Sequence, residues 1–146
     1  MSKERFFEII QRKKIVDSRG YFLKIMHGSE SMEHNQFGEI YLVKGDAGKS
    51  RANHYHDLAA EWFTVIQGKV TLILEELSSG EQVSIYMDAD SPVTVKVPPR
   101  VAHSLVGVDG ADYMLLAYSD KPYVPSDTVP YQISSMMPRE VNYETS

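Results

Sequence analysis

Three imidazoles and one carboxylate are the side chains of this sequence best suited to chemistry. The stretch Gly48-Lys-Ser-Arg-Ala-Asn-His54-Tyr-His56-Asp-Leu-Ala-Ala-Glu61-Trp-Phe-Thr-Val-Ile-Gln-Gly68 sets two histidines two residues apart. On a strand both point to one face, because side chains alternate with a period of two. Residues 57–60 read as a turn, after which Glu61 opens the next strand on the face shared with Phe63 and Val65. An antiparallel neighbour therefore places Glu61 beside the His pair. Pro98-Pro99-Arg100-Val101-Ala102-His103 brings a third imidazole onto another strand. Three imidazoles and a carboxylate suit a divalent transition metal, zinc first, with manganese, iron or nickel as alternatives. Such a ligand set leaves the ion with residual positive charge, able to attract an anionic oxygen. His27 and His34 stand alone and read as ordinary surface or satisfied core histidines.

Strands must position these groups. Over most of the chain the apolar residues repeat closer to every second position than to every 3.6. Residues 37–43, 62–67, 69–75, 82–87, 93–97 and 113–118 read as strands, with a break at Gly68 and turn clusters at 78–80, 88–92 and 108–110. Short strands about ten residues apart predict an all-β sandwich or barrel. The first fifteen residues fit helix or strand equally. From Lys121 the texture changes. Pro122, Pro125, Pro130 and Pro138 cannot sit inside central strands, so 121–146 reads as an extended Pro-rich arm, with a frayed end at 141–146. That arm is either a loose tail or a cover for a site or a second subunit.

Composition bounds the function. The 146 residues suit one domain, spanning 1–146, with a barrel core at about 16–120. Apolar residues make up 42% and charged residues 24%, which are globular values. A net charge of −5 without a basic cluster argues against nucleic acid as partner. The absence of cysteine excludes disulfides, thiolate metal sites and thiol nucleophiles, and agrees with a cytoplasmic location. Acids interrupt the start of the chain, so no secretory signal is expected, and no apolar run is long enough to span a membrane.

The 48–68 segment resembles the first cupin motif, G-x5-H-x-H-x4-E-x6-G, at every fixed position. The second motif is matched at Pro98 and His103, while Pro92, Arg100 and Gly107 stand where Gly, Gly and Asn are usual. The resemblance implies a jelly-roll β-barrel of the RmlC-like cupin superfamily, with metal ligands His54, His56, Glu61 and His103 at its mouth. Asp17-Ser-Arg19-Gly-Tyr-Phe22 is similar to the opening of sugar-nucleotide 3,5-epimerases. Arg51-Ala-Asn-His54-Tyr55 is similar to their R-G-L-H-Y, and closer still to the R-G-N-H-Y-H-x4-E of capsular-polysaccharide cupins. Residues 116–128 resemble the tail of those capsular cupins.

The implied substrate is a nucleotide-linked 4-keto-6-deoxysugar, epimerised at C3 or isomerised through an enolate. Arg19 and Arg51 match arginines that hold the diphosphate, and Tyr123 matches the proton-donating tyrosine. His54 matches the catalytic base of the metal-free epimerases, so base and metal-ligand roles compete for one lone pair. Other cupin chemistries, an oxygenase or decarboxylase, and a non-catalytic sugar-binding cupin are the alternatives. A homodimer is expected from the arm and the need to cover barrel edges. The capsular cupins often follow a reductase domain. No dinucleotide fingerprint occurs in these residues, so the resemblance implies a reductase on a separate protein.

Overall fold

Alternation of β-branched and aromatic residues with polar ones drives this chain into strands. The computed structural model describes residues 5–30, 37–108, 110–134 and 139–141, and among them there is no α-helix. Twelve strands follow in order: β1 (Glu8–Gln11), β2 (Lys14–Asp17), β3 (Gly20–Leu23), β4 (Glu39–Gly45), β5 (Ser50–His56), β6 (Glu61–Glu76), β7 (Gln82–Asp88), β8 (Val93–Val97), β9 (Val101–Gly107), β10 (Tyr113–Ser119), β11 (Thr128–Pro130) and β12 (Arg139–Glu140). The N-terminal segment, open between helix and strand in the sequence, forms strands.

The sixteen-residue β6 organises the barrel. Its first half pairs with β8 and β10, and its second half with β7 and β9. β1 extends the first group beyond β8, and β4 extends it beyond β10. β5 and β11 extend the second group beyond β9. The changeover falls at Gly68, whose φ of +78 lies in the left-handed region. A Cβ there would collide with the backbone carbonyl of Asp112. The expected break at Gly68 is therefore corrected: one strand continues through it and changes sheet. Two glycines of the first motif, Gly48 and Gly68, sit at positive φ, which explains their place in the pattern.

The inward positions of both groups form one core. Phe63, Val65, Val70, Leu72, Leu74, Val83, Ile85, Val95, Leu105, Tyr113 and Leu115 are all buried in it. Each such side chain contributes roughly 1.5–3 kcal/mol by leaving water. The same inward rows include Glu61 in β6 and His103 in β9, so the strand period that builds the core also turns these two polar groups inward.

A bulge in β5 completes the positioning. Ala52 and Asn53 both have positive φ, 69° and 59°, and the β5–β9 register shifts between Ala52 and His54. Asn53 locks the bulge. Its amide donates to Ser50 Oγ at 3.1 Å, its side-chain oxygen accepts from Ser104 Oγ at 2.8 Å, and its carbonyl accepts from Tyr131 N–H at 2.9 Å. After the extra residue His54 lies directly opposite His103. Arg100, at a usual glycine position of the second motif, also has positive φ, 62°, and its N–H donates to the His56 carbonyl at 2.7 Å.

The arm is extended, as expected, and it is docked. A single 3-10 turn, Pro125–Asp127, leads into β11, which pairs with β5. Val141, expected to fray, donates its N–H to Ser84 at 3.0 Å. Pro138, His34 and 142–146 lie outside the described residues.

Ala52 occupies a conformation that costs a residue with a Cβ about 1–2 kcal/mol, while glycine gives back about 0.5–1 through chain entropy. The variant Ala52→Gly is expected to gain roughly 0.5–1 kcal/mol on this difference. Gly68→Ala is expected to lose at least about 2 kcal/mol. Urea denaturation followed by circular dichroism measures both, and a stabilised Gly68→Ala would contradict the pivot.

Candidate metal centre and cavity

β5, β6 and β9 bring His54, His56, Glu61 and His103 together, with one potential ligand atom of each within 4.8 Å of all the others. The rings pack edge-on or tilted, with centroids 4.7 Å apart for His54–His103, 5.0 Å for His54–His56 and 5.6 Å for His56–His103. Glu61 and His103 are buried, at 3% and 1% exposure.

Hydrogen bonds set which nitrogen faces the centre. His103 Nδ1 lies 3.1 Å from the Val101 carbonyl, and His56 Nδ1 lies 3.2 Å from the Asp127 carbonyl. A carbonyl oxygen only accepts, so each Nδ1 carries a proton, and in the neutral ring each Nε2 presents a lone pair. Those lone pairs face another acceptor. Glu61 Oε1 is 2.8 Å from His56 Nε2 and 3.4 Å from His103 Nε2. Neither Glu61 Oε1 nor His103 Nε2 has a partner in hydrogen-bond geometry, although both atoms are buried. Acceptors crowded in this way need a proton or a cation between them. The donor set, with ring N–H groups tied to backbone carbonyls, fits a divalent metal.

The electrostatics agree. Burial opposes ionisation of Glu61, but His103, His56 and the Tyr41 hydroxyl outweigh it and hold the carboxyl well below its ordinary range. Burial works against a charged His56, yet the Glu61 carboxylate beside it raises its pKa. Burial, followed by the neighbouring His103 and His56, lowers His54 to about 4, so its ring is neutral at pH 7. The Tyr41 hydroxyl donates to Glu61 Oε2, and burial, then this carboxylate, pushes the phenol far up.

His54, His56 and Glu61 form part of the wall of a cavity of about 270 Å³. Glu39, Tyr41, Lys121, Tyr123 and Asp127 also line it. Tyr123 comes from the arm and is 65% exposed. Neither Arg19 nor Arg51 lines the cavity. Arg19 sits at the tip of the β2–β3 hairpin and pairs with Asp17 at 2.7 Å. Arg51 is exposed and lies opposite Leu105 in the β5–β9 pairing. Trp62 is buried against Tyr118, with ring centroids 5.4 Å apart, away from the cavity wall. His27 is a surface residue, its Nδ1 2.7 Å from Ser29 Oγ.

Sequence reasoning missed Tyr41, Lys121 and Asp127. Tyr41 shares a strand face with Val43, the one signal that could have placed it inward. Asp127 lies within the tail stretch already singled out.

Residues 15–131 match the family described as polysaccharide biosynthesis C-terminal domain. The spore coat polysaccharide biosynthesis protein SpsL of Bacillus subtilis (strain 168) is 26% identical over 115 residues, which is 75% of each chain. The dTDP sugar isomerase of Desulfovibrio desulfuricans G20 superposes with a TM-score of 0.78 at 18% identity, covering 88% of this chain and 85% of that one. ChmJ, a 3'-monoepimerase from Streptomyces bikiniensis in complex with dTDP-quinovose, gives 0.76 at 15% identity, covering 84% and 68%. The fold is the cupin barrel shared with these two solved structures, a dTDP sugar isomerase and a 3'-monoepimerase. Among the described residues no helix is long and apolar enough to cross a membrane.

Elemental analysis of protein dialysed from zinc-containing buffer is expected to find about one ion per chain, and near none in His103→Ala. Arg51→Ala is expected to keep the parent content. Zinc retained in full by His103→Ala would remove that side chain from the ligand set.

Proposed function

This chain belongs to the polysaccharide biosynthesis C-terminal domain family, and on that premise we propose that it acts on a nucleotide-linked 4-keto-6-deoxysugar. The reaction is C3 epimerisation, or a related isomerisation, through an enolate, in polysaccharide synthesis. The observation carrying this reading is the quartet of converging ligand atoms, three of its residues on the wall of a cavity that also receives a tyrosine from the arm.

The chemistry follows from the substrate. A 4-keto group acidifies the hydrogen on C3, so a base can remove it and a proton can return to the other face. A divalent ion held by His54, His56, Glu61 and His103 would supply Lewis-acid stabilisation of the oxyanion, a contribution of several kcal/mol. General acid–base groups add roughly 10²–10⁴-fold. Tyr123, on the cavity wall and open to solvent, is the proton donor. The neutral ring of His54 has one free lone pair. It serves as a ligand when the centre is loaded and as a base when it is not, so metal content and activity separate the two roles.

Among the described residues that line the cavity, Lys121 is the one lysine or arginine. Its ammonium is the counter-charge for the diphosphate, and Arg51 is a more distant candidate. The chain also works as a homodimer. The β2–β3 hairpin forms a two-stranded sheet of its own, with Ile15, Val16, Tyr21 and Phe22 each more than half exposed. An isolated hairpin is marginal in water. Phe37, Ile40 and Leu42, on and beside the edge strand β4, are equally exposed. A second copy covers this apolar surface.

Incubation with dTDP-4-keto-6-deoxyglucose in deuterated water is expected to place deuterium at C3. Saturable binding without exchange would leave a sugar-binding protein instead of an enzyme. Lys121→Ala is expected to weaken nucleotide-sugar binding more than Arg51→Ala does, as titration calorimetry reads, and the reverse order would return the diphosphate to Arg51. Sedimentation at working concentration is expected to give the mass of two chains; the mass of one would defeat the homodimer.

A further inference from the structure

His56 and Glu61 are joined only by the turn 57–60, so the shape of that turn sets how two of the four candidate ligands meet. Three consecutive amides of the turn are taken up by carboxylates from the far end of the chain. Asp127 Oδ1 accepts from Leu58 N–H at 2.8 Å, and its Oδ2 accepts from Ala59 N–H at 3.2 Å. Asp120 Oδ1 accepts from Ala60 N–H at 3.0 Å, while Asp120 N–H donates to the Ala60 carbonyl at 3.1 Å. Asp127 is thereby held beside His56, where its own carbonyl meets Nδ1 at 3.2 Å. The next residue, Thr128, pairs with His56 across β5 and β11. Between the two aspartates run the arm residues Lys121, Pro122, Tyr123 and Val124, all on the cavity wall.

We propose that Asp127 is a positioning residue that ties the His56–Glu61 pair to the arm bearing Tyr123. Its carboxylate grips the turn, and that grip keeps its carbonyl on His56 Nδ1. The ring is thereby held as the tautomer whose Nε2 faces Glu61. Both carboxylate oxygens are engaged on amides, and Oδ2 also lies 3.8 Å from His56 Nδ1, so the group holds the ring through the turn and by its own charge. Arm docking and alignment of the pair are then one event, since the same side chain anchors both.

The effect on metal affinity rests on the function proposed above; the tautomer and the amide protection do not. The test uses the whole chain with Asp127→Ala and Asp127→Asn, the second keeping one acceptor oxygen. In metal-free protein, at a pH above the titration of the His56 ring, nitrogen-resolved NMR is expected to show the Nδ1–H form in the parent and mixed tautomers in Asp127→Ala. Hydrogen exchange at Leu58 and Ala59 is expected to speed up by about ten-fold or more, with Leu72 in β6 unchanged. Zinc affinity is expected to fall by about 10–100-fold, with partial recovery in Asp127→Asn. Parent-like tautomer and exchange in Asp127→Ala would overturn the proposal. A parent that binds no zinc would defeat the metal centre alone, leaving ring and exchange data to decide on Asp127. If Asp127→Ala fails to fold, Asp127→Asn carries the same two measurements.

Discussion

Three acceptors held face to face, two of them buried, dominate this molecule. Glu61 Oε1 lies 2.8 Å from His56 Nε2 and 3.4 Å from His103 Nε2, with both Nδ1 atoms turned toward backbone carbonyls. Lone pair against lone pair is repulsive, and burial removes the water that would relieve it. The arrangement is tolerable only with positive charge in the gap. The Glu61 carboxylate raises the pKa of the His56 ring in response. A divalent cation satisfies all the facing atoms together.

The barrel keeps those atoms converged by ordinary means. Glu61 and His103 occupy inward positions of β6 and β9 in rows that are otherwise apolar along the core, so no special device is needed for two of the four. His54 needs one. Without the two left-handed residues Ala52 and Asn53 the strand would be out of step, and a shift of one residue turns every following side chain to the other face. Strain of this kind persists where the surroundings over-determine it, and here Ser50, Ser104 and Tyr131 all hold Asn53.

Much of this was legible beforehand. The His-x-His pair, the four-residue turn and the period of two were enough to predict a shared face for His54, His56 and Glu61, and the motif supplied His103. Tyr41 was not legible, because its approach to Glu61 crosses β10 at Ala117 and depends on long-range register. Asp127 was hidden for a similar reason, since its partners lie nearly seventy residues earlier and a Pro-rich tail carries no period. Gly68 shows another limit. A glycine among β-branched residues marks a departure from regular strand, but composition does not distinguish a break from a pivot. Arg19 and Arg51 were placed by resemblance alone, and within one chain neither reaches the cavity wall.

The docking of β11 against β5 bears on how the protein is made. Synthesis proceeds from the N-terminus, so β1 to β10 have all left the ribosome before the segment that closes the cavity appears. A nascent chain can lay down its hydrophobic interior while the four polar groups still stand open to solvent. Closure comes afterwards, once β11 has emerged and the strap can settle over the opening. Assembly thus leaves a late interval in which the four polar groups stand uncovered.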